Sequence, residues 1–154
     1  MKKSATYFLI LITATLFSYG ELVGQNVSPR YQKIIPDKSQ QPNPAPVFEN
    51  IISGIEAGSV SSIANYFGKQ IYISLNSGER GYYSSNQAYY VLQNYFSIYR
   101  PIDFRVSTRL TNSLTPYCAG KLIYSFKGVK ETVQVYIGLS WTNDNWEINQ
   151  ITIN

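Results

Sequence analysis

The stretch from Tyr83 to Val106, YSSNQAYYVLQNYFSIYRPIDFRV, admits few folds. Ser84 followed three places on by Gln87 has the spacing of a capping box, in which each residue satisfies a backbone N–H of the other. Ala88, Val91, Leu92, Tyr95, Phe96 and Tyr99 then recur at steps of three and four, which makes one apolar stripe along a helix. Pro101 stops that helix, because it lacks an N–H and disfavours a helical Arg100. Ile102, Phe104 and Val106 alternate with polar residues, the period of a half-buried strand. A capped helix running straight into a strand implies a helix laid against a sheet.

The rest of the chain can be placed around that unit. Phe48, Ile51, Ile52 and Ile55 are helix-spaced, and Gly58 ends their turn. Ser59 caps a second short helix carrying Ile63, Tyr66 and Phe67, which Gly68 terminates. Ile71, Ile73 and Leu75 alternate with Tyr72, Ser74 and Asn76 as a first strand. Ser77 to Tyr83, with Gly78 and Gly81, is expected to be a loop. Beyond the central helix everything is strand. Ile102–Leu110 should set Phe104, Val106 and Thr108 on one face, and Asp103, Arg105, Ser107 and Arg109 on the other. Tyr117–Phe126 follows, then Thr132–Thr142 with Val133, Val135, Ile137, Leu139 and Trp141 on one face. Asn143, Asp144 and Asn145 make a hairpin turn. The last strand changes parity between Ile148 and Ile151, so a β-bulge is expected at Asn149 and Gln150. The predicted order is α-α-β-α-β-β-β-β: an α+β domain with helices covering one side of a strongly curved antiparallel sheet.

Three segments divide the sequence. Lys2 and Lys3, the apolar run Ala5–Phe17 and small residues at Ser18, Gly20 and Gly24 read as a signal peptide over residues 1–24, cleaved after Gly20 or Gly24. That run is short for a bilayer span, so no membrane anchor is expected after cleavage. No cysteine lies near the junction, which argues against a lipoprotein. Residues 25–46 hold five of the seven prolines and read as a solvated linker. The folded domain is expected over residues 47–154. The expected location is therefore outside the cytoplasm, periplasmic or secreted. The single cysteine, Cys118, has no internal partner and reads as a small buried hydrophobe.

Charge argues against nucleic acid. The whole chain carries a net charge of +4. From Val47 onward, however, eight basic residues face seven acidic ones, and the excess lies in the N-terminal arm. A near-neutral domain lacks the basic footprint that phosphate binding requires.

The segments IISGIEAGSVSSIANYF, YSSNQAYYVLQNYF, IDFRV and WEINQITIN resemble a family of small secreted bacterial proteins described as domain of unknown function 4783, over Val47–Asn154. The element order resembles the cone-shaped nuclear-transport-factor-two-like (NTF2-like) and cystatin-like fold that ketosteroid isomerases and polyketide cyclases share. The resemblance implies a bent sheet and helices that enclose a cavity, which in the enzymes of that fold holds a hydrophobic small molecule. It implies no reaction.

The residues narrow the chemistry further. The sequence has no histidine, so Ser-His and Cys-His nucleophiles and a histidine base are excluded. Usual zinc sites lack ligands, and no phosphate-binding glycine loop, dinucleotide fingerprint or EF-hand occurs. No cofactor or metal is expected. An isomerase would need a buried carboxylate beside a tyrosine or a protonated acid. Asp103 and Glu131 read as solvated, and Glu79 lies in a loop that could cover a cavity mouth. No catalytic residue is therefore assigned. The expected role is an exported, non-catalytic binding or accessory domain, with a small-molecule isomerase or lyase of the ketosteroid-isomerase or polyketide-cyclase kind as the alternative. Two contact sites are candidates. Tyr82, Tyr83 and Tyr90 could form an exposed aromatic patch, and Tyr95, Phe104, Tyr124 and Trp141 could line a cavity. The partner would be a protein, a peptide, a glycan or a small apolar ligand. A homodimer through the outer sheet face bearing Arg105, Arg109 and Lys121 is a further expectation.

Overall fold

The computed structural model describes residues 41–154. The expected signal peptide and most of the expected linker lie outside the described residues. In chain order the elements are α1 (Ala45–Glu56), α2 (Val60–Ala64), β1 (Phe67–Leu75), β2 (Arg80–Ser84), α3 (Ser85–Ile98), β3 (Arg100–Leu110), β4 (Tyr117–Phe126), β5 (Val129–Thr142) and β6 (Asn145–Ile153).

Helix α1 starts two residues before the expected boundary. Pro46 falls in its first turn, where a missing N–H costs nothing, and the Asn43 side chain accepts from the Ala45 N–H at 3.0 Å. Phe48, Ile51, Ile52 and Ile55 are buried, and Gly58 leaves the helix with φ +63°. The second helix is shorter than its pattern suggested. Phe67 and Gly68 belong to β1, where strand pairing outcompetes one more helical turn.

The capping box forms as the spacing requires. Ser84 Oγ accepts from the Gln87 N–H, and Gln87 Oε1 accepts from the Ser84 N–H at 3.0 Å. Ala88, Leu92, Tyr95 and Phe96 form the buried face of α3. The Ser85 hydroxyl donates to the Gly68 carbonyl at 2.8 Å, tying the start of α3 to β1.

Six strands make one sheet in the order β2-β1-β6-β5-β4-β3. The expected loop over Ser77–Tyr83 is a hairpin instead, since Arg80–Ser84 pairs antiparallel with Gln70–Ser74. The sheet also contains a parallel pair, because β1 lies along β6. Helix α3 touches β1, β2 and β3. In a flat sheet β1 and β3 would stand about 19 Å apart, four strand spacings, whereas a helix with side chains is only about 10 Å across. The sheet therefore wraps around α3, and the core fills its concave side.

A register shift between Pro101 and Asp103 leaves Ile102 out of the pairing and 44% exposed, instead of alternating inward with Phe104. Besides it, two bulges decide which side chains face that core. Gly138 pairs with Gln150 and Leu139 with Ile148, so Asn149 is the extra residue that the parity change demanded. The other was not foreseen. Val106 pairs with Gly120 and Thr108 with Ala119, so Ser107 is extra, and its hydroxyl donates to the Ala119 carbonyl at 3.2 Å. Past that point β3 reverses parity. Arg109 consequently leaves the outer face expected for it and pairs with Glu49 of α1, whereas Arg105 pairs with Asp103 at 2.7 Å.

Candidate functional site

The pairing register builds the outer face row by row. Tyr82, Tyr72, Gln150, Gly138 and Tyr117 stand opposite one another on β2, β1, β6, β5 and β4. Ile71 and Ile73 point into the core, so their neighbours Gln70 and Tyr72 point outward. The Tyr82 ring meets Tyr72 edge-on at 5.2 Å and stays 71% exposed. In the adjoining row Tyr136 stacks on Tyr117 at 5.3 Å, and burial followed by the Tyr117 neighbour raises its pKa.

Tyr82 stands between two clefts. One, of about 440 Å³, is lined by Gln70, Tyr72, Tyr82, Asn149 and Gln150. The other, of about 510 Å³, shares Gln70 and Tyr82 and adds Lys69, Ser84 and Gln87. Both are of the size that small-ligand sites have, roughly 300–1,000 Å³. The bulge shapes the first cleft by turning both Asn149 and Gln150 outward. Gly138 makes room there, because a Cβ on it would come within 2.8 Å of Asn149 Oδ1. Among the described residues the side-chain amides of Gln70 and Asn149 have no hydrogen-bond partner in the protein. The lining of both clefts thus offers aromatic faces, amides, the hydroxyls of Tyr72, Tyr82 and Ser84, and one ammonium, with no carboxylate or thiol.

A second group of tyrosines is buried on the helix side. The Tyr95 hydroxyl donates to Asn76 Oδ1 at 2.9 Å, and the Tyr124 hydroxyl donates to Glu131 Oε2 at 2.8 Å. Tyr99 bridges them, stacked on Tyr95 at 4.6 Å and edge-on to Tyr124 at 5.6 Å. Burial is the main reason that both hydroxyls have raised pKa values. For Tyr95 the neighbouring Tyr124, Tyr99 and Glu79 add to it, and for Tyr124 the hydrogen bond to Glu131 does. Glu131 itself is exposed on β5, as expected, although it serves as the acceptor for a buried tyrosine.

The structure does not assemble the two expected sites as drawn. Tyr82 and Tyr83 are adjacent on β2 and point to opposite faces; Tyr83 packs on the core opposite Ile71. Tyr90 is 72% exposed on α3, edge-on to Tyr89 at 5.4 Å. Of the cavity residues, Tyr95 and Tyr124 meet through Tyr99. Phe104 is a buried core residue, and Trp141 packs edge-on against Trp146 at 5.2 Å. Trp141 stands ten positions after Glu131 on β5, about 33 Å of strand. None of the clefts described is lined by Tyr95, Phe104, Tyr124 or Trp141. A further cleft of about 340 Å³ lies where the Trp146 indole donates to the Pro42 carbonyl at 2.8 Å. Sequence reasoning missed Tyr72, Gln70, Asn149 and Gln150. The alternation of β1 and the bulge would have put them on one face, but only the unexpected strand β2 brings Tyr82 beside them.

Among the described residues no helix is long and apolar enough to cross a membrane, and no cluster of three histidine, cysteine or acidic side chains could hold a metal.

Comparison with known proteins agrees with this architecture. No curated protein matches the sequence. A structure from Bacteroides uniformis, described as a DUF4783 family protein, is 16% identical with a TM-score of 0.63, covering 69% of this chain and 94% of its own. Another of the same description from Bacteroides ovatus is 18% identical with a TM-score of 0.60, covering 68% and 90%. An NTF-2 like protein of unknown function from Shewanella oneidensis is 10% identical with a TM-score of 0.54, covering 71% and 93%. At these identities the likeness shows a shared fold. The family described as domain of unknown function (DUF4783) matches residues 48–154, the helices and curved sheet together, and the chain belongs to that family.

Proposed function

We propose that the protein is an exported, non-catalytic binding or accessory module whose contact surface is the outer face of the sheet around Tyr72 and Tyr82. The observation that carries this reading is the exposed Tyr82 ring against half-buried Tyr72, beside two amides with no hydrogen-bond partner among the described residues. Exposed aromatic groups with a polar handle recur at recognition surfaces, since they offer apolar area and hydrogen bonds together. Export is supported by Lys2, Lys3 and the apolar run Ala5–Phe17. A homodimer would compete for the same face, with Arg105 and Lys121 directly opposite each other on β3 and β4; a monomer at high concentration would count against it.

The test is a photoreactive phenylalanine analogue at position 82, expressed in cells and activated in the intact envelope. A slower-migrating adduct should form from position 82 and not from position 56, an exposed site on α1. No adduct from position 82 would defeat the reading. Mass spectrometry of the mature chain should find its N-terminus after Gly20 or Gly24.

One observation favours the isomerase or lyase alternative, namely the Tyr124 hydroxyl on the Glu131 carboxylate. In that reading Glu131 would be the base and Tyr124 the oxyanion donor. Against it, Glu131 is exposed and already occupies the proton that Tyr124 would have to offer.

A further inference from the structure

We infer that the strip running from Tyr82 across Tyr72 and Gln150 to Tyr117 is a binding site for a neutral oligosaccharide chain. The inference rests on the binding reading above and names the class of ligand. Three features of the strip select it. The first is chemical. The lining of the two clefts contains no aliphatic side chain, whereas the buried centre of a protein–protein contact is enriched in apolar groups. What it does contain is tyrosine and planar amide, groups that stack on the C–H faces of a sugar ring and exchange hydrogen bonds with its hydroxyls.

Charge is the second feature. Lys69, at one end, is the single charged residue lining either cleft, so neither a phosphorylated nor a uronic-acid chain finds the guanidinium forks such groups favour. Shape is the third. The row crosses five strands, and four spacings make it about 19 Å long, with the Asn149 amide lying over Gly138 near its middle. That is room for several linked rings and more than one small molecule would need. Gln70 and Asn149, with no hydrogen-bond partner among the described residues, stand ready to meet hydroxyls along it.

The test is electrophoresis of the mature chain in native gels containing a soluble neutral polysaccharide: dextran, pullulan, mannan, galactomannan or xyloglucan. A gel with polygalacturonate and one with no polymer serve as comparisons. At least one neutral polymer should retard the protein. Tyr82→Ala, at an exposed position, and Gln70→Ala should each weaken that retardation about tenfold, while Tyr90→Ala should leave it unchanged. Circular dichroism of each variant checks that the fold is kept. Failure of every neutral polymer to retard the chain, retardation by polygalacturonate alone, or undiminished retardation of Tyr82→Ala would overturn the inference. The two readings fail separately. A photo-adduct at position 82 that proteases degrade, with no polymer bound, would leave the binding module standing and remove the sugar.

Discussion

Gly120 on β4 lies so close to Arg105 on β3 that a Cβ at Gly120 would overlap the Arg105 carbonyl oxygen. This close approach occurs where Ser107 is squeezed out of register, and it lets Arg109 swing to the helix side and meet Glu49. Because the neighbour is backbone, no side chain can give way. Gly120→Ala should lower stability by about 1–3 kcal/mol, seen as an earlier midpoint in urea with an unchanged slope.

The turn between β5 and β6 has the opposite prospect. Asn143 and Asp144 both have positive φ, at 50° and 61°, which is the two-residue hairpin turn in which glycine is preferred second. Asp144→Gly removes a Cβ from a left-handed backbone. We expect a gain of about 0.5 kcal/mol in the same urea experiment.

Within the buried tyrosine group, Tyr95→Phe deletes one hydroxyl and keeps the ring stacked on Tyr99. The lost hydrogen bond to Asn76 should cost about 1 kcal/mol. If the hydroxyl acts only through Asn76, the cost should largely vanish when measured in an Asn76→Ala background. A double-mutant cycle reads this directly.

Burial pushes the Cys118 thiol up to about 12 from an ordinary value of 9.0, with Arg109 opposing and Glu49 assisting the shift. The native thiol should therefore resist alkylation at pH 8 and react on adding denaturant. The same shift sets the sign of a pH effect. Above pH 9 the unfolded thiol loses its proton while the native one keeps it, so the unfolded state binds fewer protons and stability falls as pH rises towards 12. Cys118→Ala should show a shallower decline over that window in pH-dependent urea melts.

Much of the fold can be read from local pattern. Ser84 and Gln87 specify the start of α3 by themselves, because a cap involves only neighbours along the chain. The parity change between Ile148 and Ile151 likewise requires a bulge whatever the partner strand is, since both isoleucines are buried. The class of the domain followed from such signals together, and its family from the resemblance of whole segments.

Arg80–Ser84 is different. Its five residues are nowhere fully buried, Gly78 precedes it and Gly81 interrupts it, and it becomes a strand only because β1 is exposed along that edge. Arg109 reads as an outward residue by alternation and turns inward because Ser107 is extruded against β4. The candidate surface depends on both kinds of event, as β2 delivers Tyr82 to Tyr72 and the β6 bulge delivers Asn149 and Gln150 to the same cleft. Caps, stripes and turn residues are short-range choices that the chain makes unaided. Which strands pair, and where one slips by a residue against the next, depends on contacts between segments distant in sequence, and those contacts exist only once the sheet has closed around its helix.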